Sequence, residues 1–248
     1  MIDVQDIFNK TLEIVKECGE IVKHANKEKD TKIKEDGSFV TKYDLLVDEK
    51  LTKGLKQIVD CSIYSEEHKE EQKETYFIID PIDGTHNFNS GFELYCIMVG
   101  FVRNDEVLFN IIYAPSLDKM FTAIKGKGAF LNDKKISMKT PEKHLLGFVN
   151  ISTLENIDCT RKLMASELDI ELRSIYCTGL TMCYIASGAF DFLCIPGEVK
   201  LWDIIPGKLI LEEAGGTIKY KKREDGNYNI IAGNKEVVDM IEEVTQIV

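Results

Sequence analysis

At 248 residues, with 44% hydrophobic and 29% charged residues, the chain has the length for one large domain or two coupled halves with a substantial core. Its formal charge of −11 argues against nucleic-acid or anionic-membrane binding as the main activity. Seven cysteines, odd in number and without a C-x-x-C pair, point to free, mostly buried thiols in a reducing compartment. The N-terminus carries Asp3, Asp6 and Glu13 rather than a basic, apolar leader. The longest uncharged run, residues 174–190, is too short and too rich in Ser, Thr and Gly to span a bilayer. A soluble, cytoplasmic protein is expected.

In chain order, residues 3–27 predict a helix, because Val4, Ile7, Phe8, Thr11, Ile14, Val15, Cys18, Ile21, Val22 and Ala25 recur at three- and four-residue spacing. Residues 27–37 are charged and patternless and read as a mobile loop. Thr41 and Asp44 have capping-box spacing, so a second helix starts there with Val47, Leu51, Leu55 and Ile58 as its stripe. Residues 63–67 predict a short strand ending in Glu66 and Glu67, followed by a polar loop over 68–74.

Residues 76–79 are an apolar strand that delivers Asp80 and Asp83 into a Pro/Gly turn, Asp80-Pro81-Ile82-Asp83-Gly84-Thr85. Strands follow at 94–102, 106–113, 120–124 and 126–130 without helices between them, which predicts an antiparallel sheet. From about residue 140 strands and helices alternate. Strands are expected at 145–151, 172–176, 190–195, 199–201, 217–220 and 228–232. Helices are expected at 157–168, 178–188 and 234–246. Asp203 is read as the cap of a further helix that ends at Gly215-Gly216, with Pro206 in its first turn. The seam near 140 separates subdomains without a flexible linker.

Four acidic positions follow strand or helix signals instead of sitting on polar faces: Asp44, Glu66 with Glu67, Asp80 with Asp83, and Asp203. Carboxylates gathered from distant segments, with the four histidines scattered, suit magnesium better than zinc. Taken alone, Asp44 and Asp203 also read as helix caps, and Trp202 as core packing.

The ordered set resembles the inositol monophosphatase family, a group of magnesium-dependent, lithium-sensitive phosphatases. It comprises Asp36-Gly37-Ser38 with Val40-Thr41 and Asp44, Glu66-Glu67, Asp80 to Thr85, Ala114-Pro115, Gly126 to Asn132, and Trp202-Asp203 followed after eleven residues by Gly215-Gly216. The resemblance covers nearly the whole chain and implies an α/β (α+β) fold, a layered αβαβα sandwich with mixed and antiparallel sheets. It implies two to three Mg2+ per subunit. Glu66, Asp80 and the carbonyl of Ile82 look like ligands of the first, and Asp80, Asp83 and Asp203 of the second. Glu66 and water would hold a third. The N–H groups of Gly84 and Thr85 would hold the phosphate, and Thr85 with Asp44 would orient and deprotonate the attacking water.

Residues 1–140 then form the subdomain with most ligands, and 141–248 the one with Asp203 and the substrate wall. That wall departs from the family pattern: Tyr176-Cys177-Thr178-Gly179 stands where a Gly-Thr or Gly-Ser step is usual, and Pro196 where a substrate-contacting glutamate is usual. Glu198 is the nearest replacement. The expected activity is magnesium-dependent hydrolysis of a small phosphate ester, foremost myo-inositol 1-phosphate, by metal-activated water, in a homodimer with no nucleic-acid polymer or membrane partner. Fructose 1,6-bisphosphate and 3′-phosphoadenosine 5′-phosphate remain as alternative substrates, and a non-catalytic metal- or phosphate-binding scaffold as an alternative of another class.

Overall fold

The amphipathic N-terminal pattern forms α1, Val4–Lys23, started by the Asp3 carboxylate, which accepts from the Gln5 N–H. These are the coordinates of a computed structural model, which describes residues 3–25, 31–34, 39–71 and 73–248. Most of the expected loop at 27–37 lies outside the described residues, as does the Asp36-Gly37-Ser38 motif. The part that is described forms a two-stranded ladder, β1 (Lys32–Ile33) against β2 (Phe39–Val40). The Thr41–Asp44 capping box then opens α2, Lys42–Ile58, with both reciprocal bonds made.

A seven-stranded sheet follows: β3 (Ser62–Ser65), β4 (Thr75–Asp83), β5 (Cys96–Arg103), β6 (Glu106–Ala114), β7 (Lys119–Ile124), β8 (Gly128–Leu131) and β9 (Lys134–Ile136). It runs in chain order and is antiparallel except for the parallel pair β3–β4. The short helix α3, Thr85–Ser90, interrupts it between β4 and β5. The last strand, β9, has little apolar content and was not expected.

In the second half the elements are β10 (Leu145–Val149), α4 (Leu154–Ala165), β11 (Ile170–Arg173), α5 (Thr178–Ala186), β12 (Phe192–Val199), α6 (Leu201–Glu213), β13 (Thr217–Lys222), β14 (Tyr228–Gly233) and α7 (Lys235–Thr245). The five strands form a mixed sheet in the order β11-β10-β12-β14-β13. The two strands expected at 190–195 and 199–201 are one strand with a shift of register between Ile195 and Val199. Helix α4 starts earlier than expected because Thr153 caps it, its side chain accepting from the Asn156 N–H.

The layers follow from strand alternation. In β5, Cys96 and Met98 face the helices α5 and α6, while Ile97, Val99 and Phe101 face α1 and α2. In β12, Leu193 and Ile195 face α5 and α6, while Phe192 and Cys194 face α4 and α7. Both sheets are therefore covered on both faces, which explains the uninterrupted apolar runs. The result is the αβαβα sandwich.

Helix α6 is the central element. It packs against β4, β5, β6, β7 and β8 and against β13 of the other sheet. Asn110, fully buried on β6, accepts from the Leu209 N–H at 2.9 Å. At the far end, the two carboxylate oxygens of Glu213 each accept at 2.7 Å from the Gly126 and Gly128 N–H groups of the β7–β8 turn. The helix begins at Leu201, so Pro206 sits beyond the first turn and removes the bond to the Trp202 carbonyl. Asp203 is its third residue and not its cap: it reaches back to accept from the Lys200 N–H at 2.5 Å.

Candidate active site

The β4 strand continues through Pro81 to Asp83, with its ladder to β5 shifting register between Asp80 and Asp83. That irregularity turns both acids to the same end of the sheet, where the sequence suggested a simple turn after the strand. Asp80 accepts from the Ile82 N–H at 3.0 Å. Asp83 Oδ2 accepts from the Gly179 N–H at 2.6 Å, at the start of α5, and has the Cys177 and Cys96 thiols at 3.2 and 3.7 Å. Helix α6 brings Asp203 from the other half of the chain. Asp80, Asp83 and Asp203 each offer a carboxylate oxygen, and the three lie within 4.8 Å of one another.

Each carboxylate is restrained by a backbone N–H, yet their charges oppose one another. Burial, and then the charges of Glu66, Asp83, Asp203 and Asp44, raise the Asp80 carboxyl well above its ordinary range. Burial and the charge of Asp83 do the same to Asp203. Burial also raises Asp83, against the pull of the Gly179 N–H and the Cys177 thiol. A centre of oxygen ligands that cannot discard their mutual repulsion suits a hard divalent cation.

Asp44 stands beside this group. Its Oδ2 accepts from the Thr41 N–H at 2.8 Å and from the Thr41 hydroxyl at 2.5 Å. The other oxygen, Oδ1, faces the Thr85 hydroxyl at 3.3 Å, and Thr85 Oγ1 also lies 2.9 Å from the Ile82 carbonyl. The cap that sequence reasoning weighed as a rival role is thus compatible with a reactive one, since it uses only one of the two oxygens. Burial raises the Asp44 carboxyl, opposed by the Thr41 bonds.

Gly84 introduces α3 with a φ of +82°, and a Cβ there would stand 3.0 Å from the Leu94 carbonyl oxygen. Only glycine suits both demands. Asn87 ties the start of α3 to the rim, donating to the Leu94 and Ile175 carbonyls at 2.7 and 2.6 Å.

Glu66 and Glu67 extend from the end of β3, which Asp48 of α2 holds by accepting from the Ser65 hydroxyl and pairing with His68 at 2.8 Å. Sequence reasoning found no role for Asp48 or His68, because their 20-residue separation carries no signal. It also missed Lys34, whose ammonium bridges Glu66 at 2.8 Å and Glu67 at 2.6 Å. In the sequence that lysine is one member of a charged run. Burial pushes Glu66 up to about 7, against the pull of Lys34.

Glu198 donates nothing and accepts from the Asn150 amide at 2.9 Å and the Ser152 hydroxyl. Tyr176 is exposed, with a φ of +48°, and its hydroxyl accepts from the Ile151 N–H at 3.1 Å. Two grooves, of about 730 and 830 Å³, run along α1 and between α1 and α2, and neither is lined by any of these acids. All seven cysteines are buried and free. Among the described residues no helix is long and apolar enough to cross a membrane.

A family model described as the inositol monophosphatase family matches residues 3–246. A protein of Aquifex aeolicus named fructose-1,6-bisphosphatase/inositol-1-monophosphatase is 32% identical over 96% of this chain and 96% of its own. Mouse inositol monophosphatase 1 is 31% identical over 86% of this chain and 83% of its own. Among solved structures, a Thermotoga maritima IMPase superposes with a TM-score of 0.85 at 26% identity, covering 96% of this chain and 98% of that one.

Proposed function

The chain belongs to the inositol monophosphatase family, whose members are phosphatases, and from that premise we propose a magnesium-dependent phosphomonoesterase with myo-inositol 1-phosphate as its principal substrate. The observation that carries the reading is the convergence of Asp80, Asp83 and Asp203 within 4.8 Å, beside the Thr85–Asp44 contact. Glu66, Asp80 and the Ile82 carbonyl would hold one Mg2+, Asp80, Asp83 and Asp203 a second, and Glu66 with water a third. The metal supplies Lewis acidity, which acidifies water and offsets charge on the phosphoryl and leaving oxygens.

The remaining work belongs to the chain. The N–H groups of Gly84 and Thr85 bind the phosphate oxygens. Thr85 Oγ1 orients the attacking water and passes its proton to Asp44 Oδ1, while Thr41 holds Oδ2 still. Burial, opposed by the Thr41 bonds, raises the proton affinity of Asp44, the direction that favours a general base. As the water oxygen bonds to phosphorus, the ester P–O bond breaks and the alcohol leaves with a proton from solvent. No covalent intermediate forms.

Residues 141–248 supply Asp203 and the substrate wall, in which Glu198 accepts hydroxyl groups of the alcohol. The name of the Aquifex relative favours a second reading, in which fructose 1,6-bisphosphate is also hydrolysed. A homodimer in the cytoplasm and inhibition by lithium complete the reading that the resemblance implies.

The test is phosphate release from myo-inositol 1-phosphate, fructose 1,6-bisphosphate and 3′-phosphoadenosine 5′-phosphate, with and without magnesium and with added lithium. The expected result is magnesium-dependent, lithium-sensitive turnover, with the highest kcat/KM for the inositol ester. Turnover of none of them, with magnesium binding intact, overturns the enzyme reading.

A further inference from the structure

Asp83 has a second neighbourhood, on the side away from hard-ligand chemistry. Cys96 Sγ and Cys177 Sγ are 3.7 Å apart, and they lie 3.7 and 3.2 Å from Asp83 Oδ2. Around a tetrahedral zinc ion, with Zn–S of about 2.3 Å and Zn–O of about 2.0 Å, two sulfurs stand about 3.8 Å apart and a sulfur and an oxygen about 3.5 Å apart. The triangle therefore already has nearly the dimensions of one face of a zinc tetrahedron.

The local chain explains why the sulfurs gather. Gly179 presents no side chain to them: a Cβ there would meet Met98 Sδ at 2.6 Å and Cys96 Sγ at 3.0 Å. The Asp83 carbonyl oxygen, 3.6 Å from Cys177 Sγ, is a further donor at the same place. The other close pair, Cys159 and Cys194 at 3.6 Å, differs in kind. Among the described residues no third carboxylate, imidazole or thiol joins it at ligand distance.

We propose that Asp83, Cys96 and Cys177 form a binding site for one thiophilic divalent cation, of which zinc is the type, distinct from the all-oxygen corner but sharing Asp83 with it. On binding, each thiol releases its proton to solvent and both sulfurs coordinate as thiolates, with no change of oxidation state. The Asp83 oxygen keeps its Gly179 N–H bond through a second lone pair. Because the carboxylate is shared, zinc draws it away from the corner. Zinc then lowers magnesium-dependent phosphate release in a way that excess magnesium does not fully reverse. This last consequence rests on the phosphatase reading, whereas the binding does not.

The test uses the whole reduced protein in excess magnesium, titrated with Co2+ and then with Zn2+. Cobalt held by oxygens alone has no thiolate charge-transfer absorption. The expected result is a near-ultraviolet thiolate-to-cobalt band that saturates at one equivalent, bleaches with zinc, disappears in C96S and C177S, and persists in C159S. No band in the wild-type protein, or a band lost in C159S and kept in C96S, overturns the site. X-ray absorption of the zinc-loaded wild-type protein tests it without any variant: two sulfur ligands at about 2.3 Å support it, and an all-oxygen shell overturns it. No phosphate ester is present in these measurements, so their failure is separate from a failure of the phosphatase reading.

Discussion

The two sides of the proposed active site are built differently. In the acid corner every carboxylate from β4, α2 and α6 accepts a backbone N–H: Asp80 from Ile82, Asp83 from Gly179, Asp44 from Thr41, Asp203 from Lys200. In the proposed substrate wall, Glu198 is placed by the side chains of Asn150 and Ser152, and Tyr176 is an exposed ring on a left-handed backbone. The corner is thus fixed by the main chain while its charges repel. Glu198, by contrast, is held through side chains alone. Reaction chemistry, as proposed, sits where the main chain holds the groups, and substrate choice where side chains hold them.

The contrast breaks most completely at Asp80. Asp80→Asn removes the carboxylate shared by the first and second proposed metal sets, and phosphate release should fall by on the order of 10³-fold. Because it also removes repulsion, the metal-free variant should melt no lower than the wild type. Wild-type rates or a collapsed fold would each contradict the role given to this residue.

Thr85→Ala should lower kcat by about 10²-fold with little change in KM, and Thr85→Ser should recover much of it, since the hydroxyl is what contacts Asp44. A loss expressed in KM instead would move Thr85 to binding.

The repulsion itself has a pH signature. Folded Asp80, Asp83, Asp203 and Glu66 all hold protons more tightly than the unfolded chain, whose acids titrate near 4. From there up to about 7, where Glu66 titrates, the folded state binds more protons, so metal-free stability falls as pH rises. With chelator, Tm should be higher at pH 5 than at pH 8, and saturating magnesium should remove the difference. A Tm that rises with pH in chelator would show that the acids are not strained.

At the wall, Glu198→Gln should raise KM by about tenfold or less and leave kcat nearly unchanged. The smallest effect belongs to a solvated ion pair. Arg223 pairs with Glu155 at 2.6 Å on a solvated rim, and Arg223→Ala should alter stability by less than about 1 kcal/mol in urea unfolding.

The same division explains what could be read from the chain. The Thr41–Asp44 box, the apolar run into Asp80 and the Gly215-Gly216 stop are local signals, because capping, strand burial and helix termination act over a few residues. Lys34 over Glu66, His68 on Asp48 and the thiols around Asp83 were not legible, since tertiary packing alone brings them together. Boundaries failed where a side chain reaches back. Asp203 has the appearance of a cap because it bonds the Lys200 N–H, but it does so from inside the helix. Likewise the bulge between Asp80 and Asp83 carries no signature beyond Pro81, so a continuing strand resembled a turn.

Helix α6 holds Asp203 at one end and, through Glu213, grips the Gly126–Gly128 backbone at the other. A chain cut near residue 140 would leave the first fragment with an open trough and the second with a helix lacking its bed. Neither piece has the complete set of proposed ligands. Co-expressed, such fragments would regain the acid corner only by reassembling around this one helix, so the seam is a natural place for a split reporter whose signal is catalysis itself.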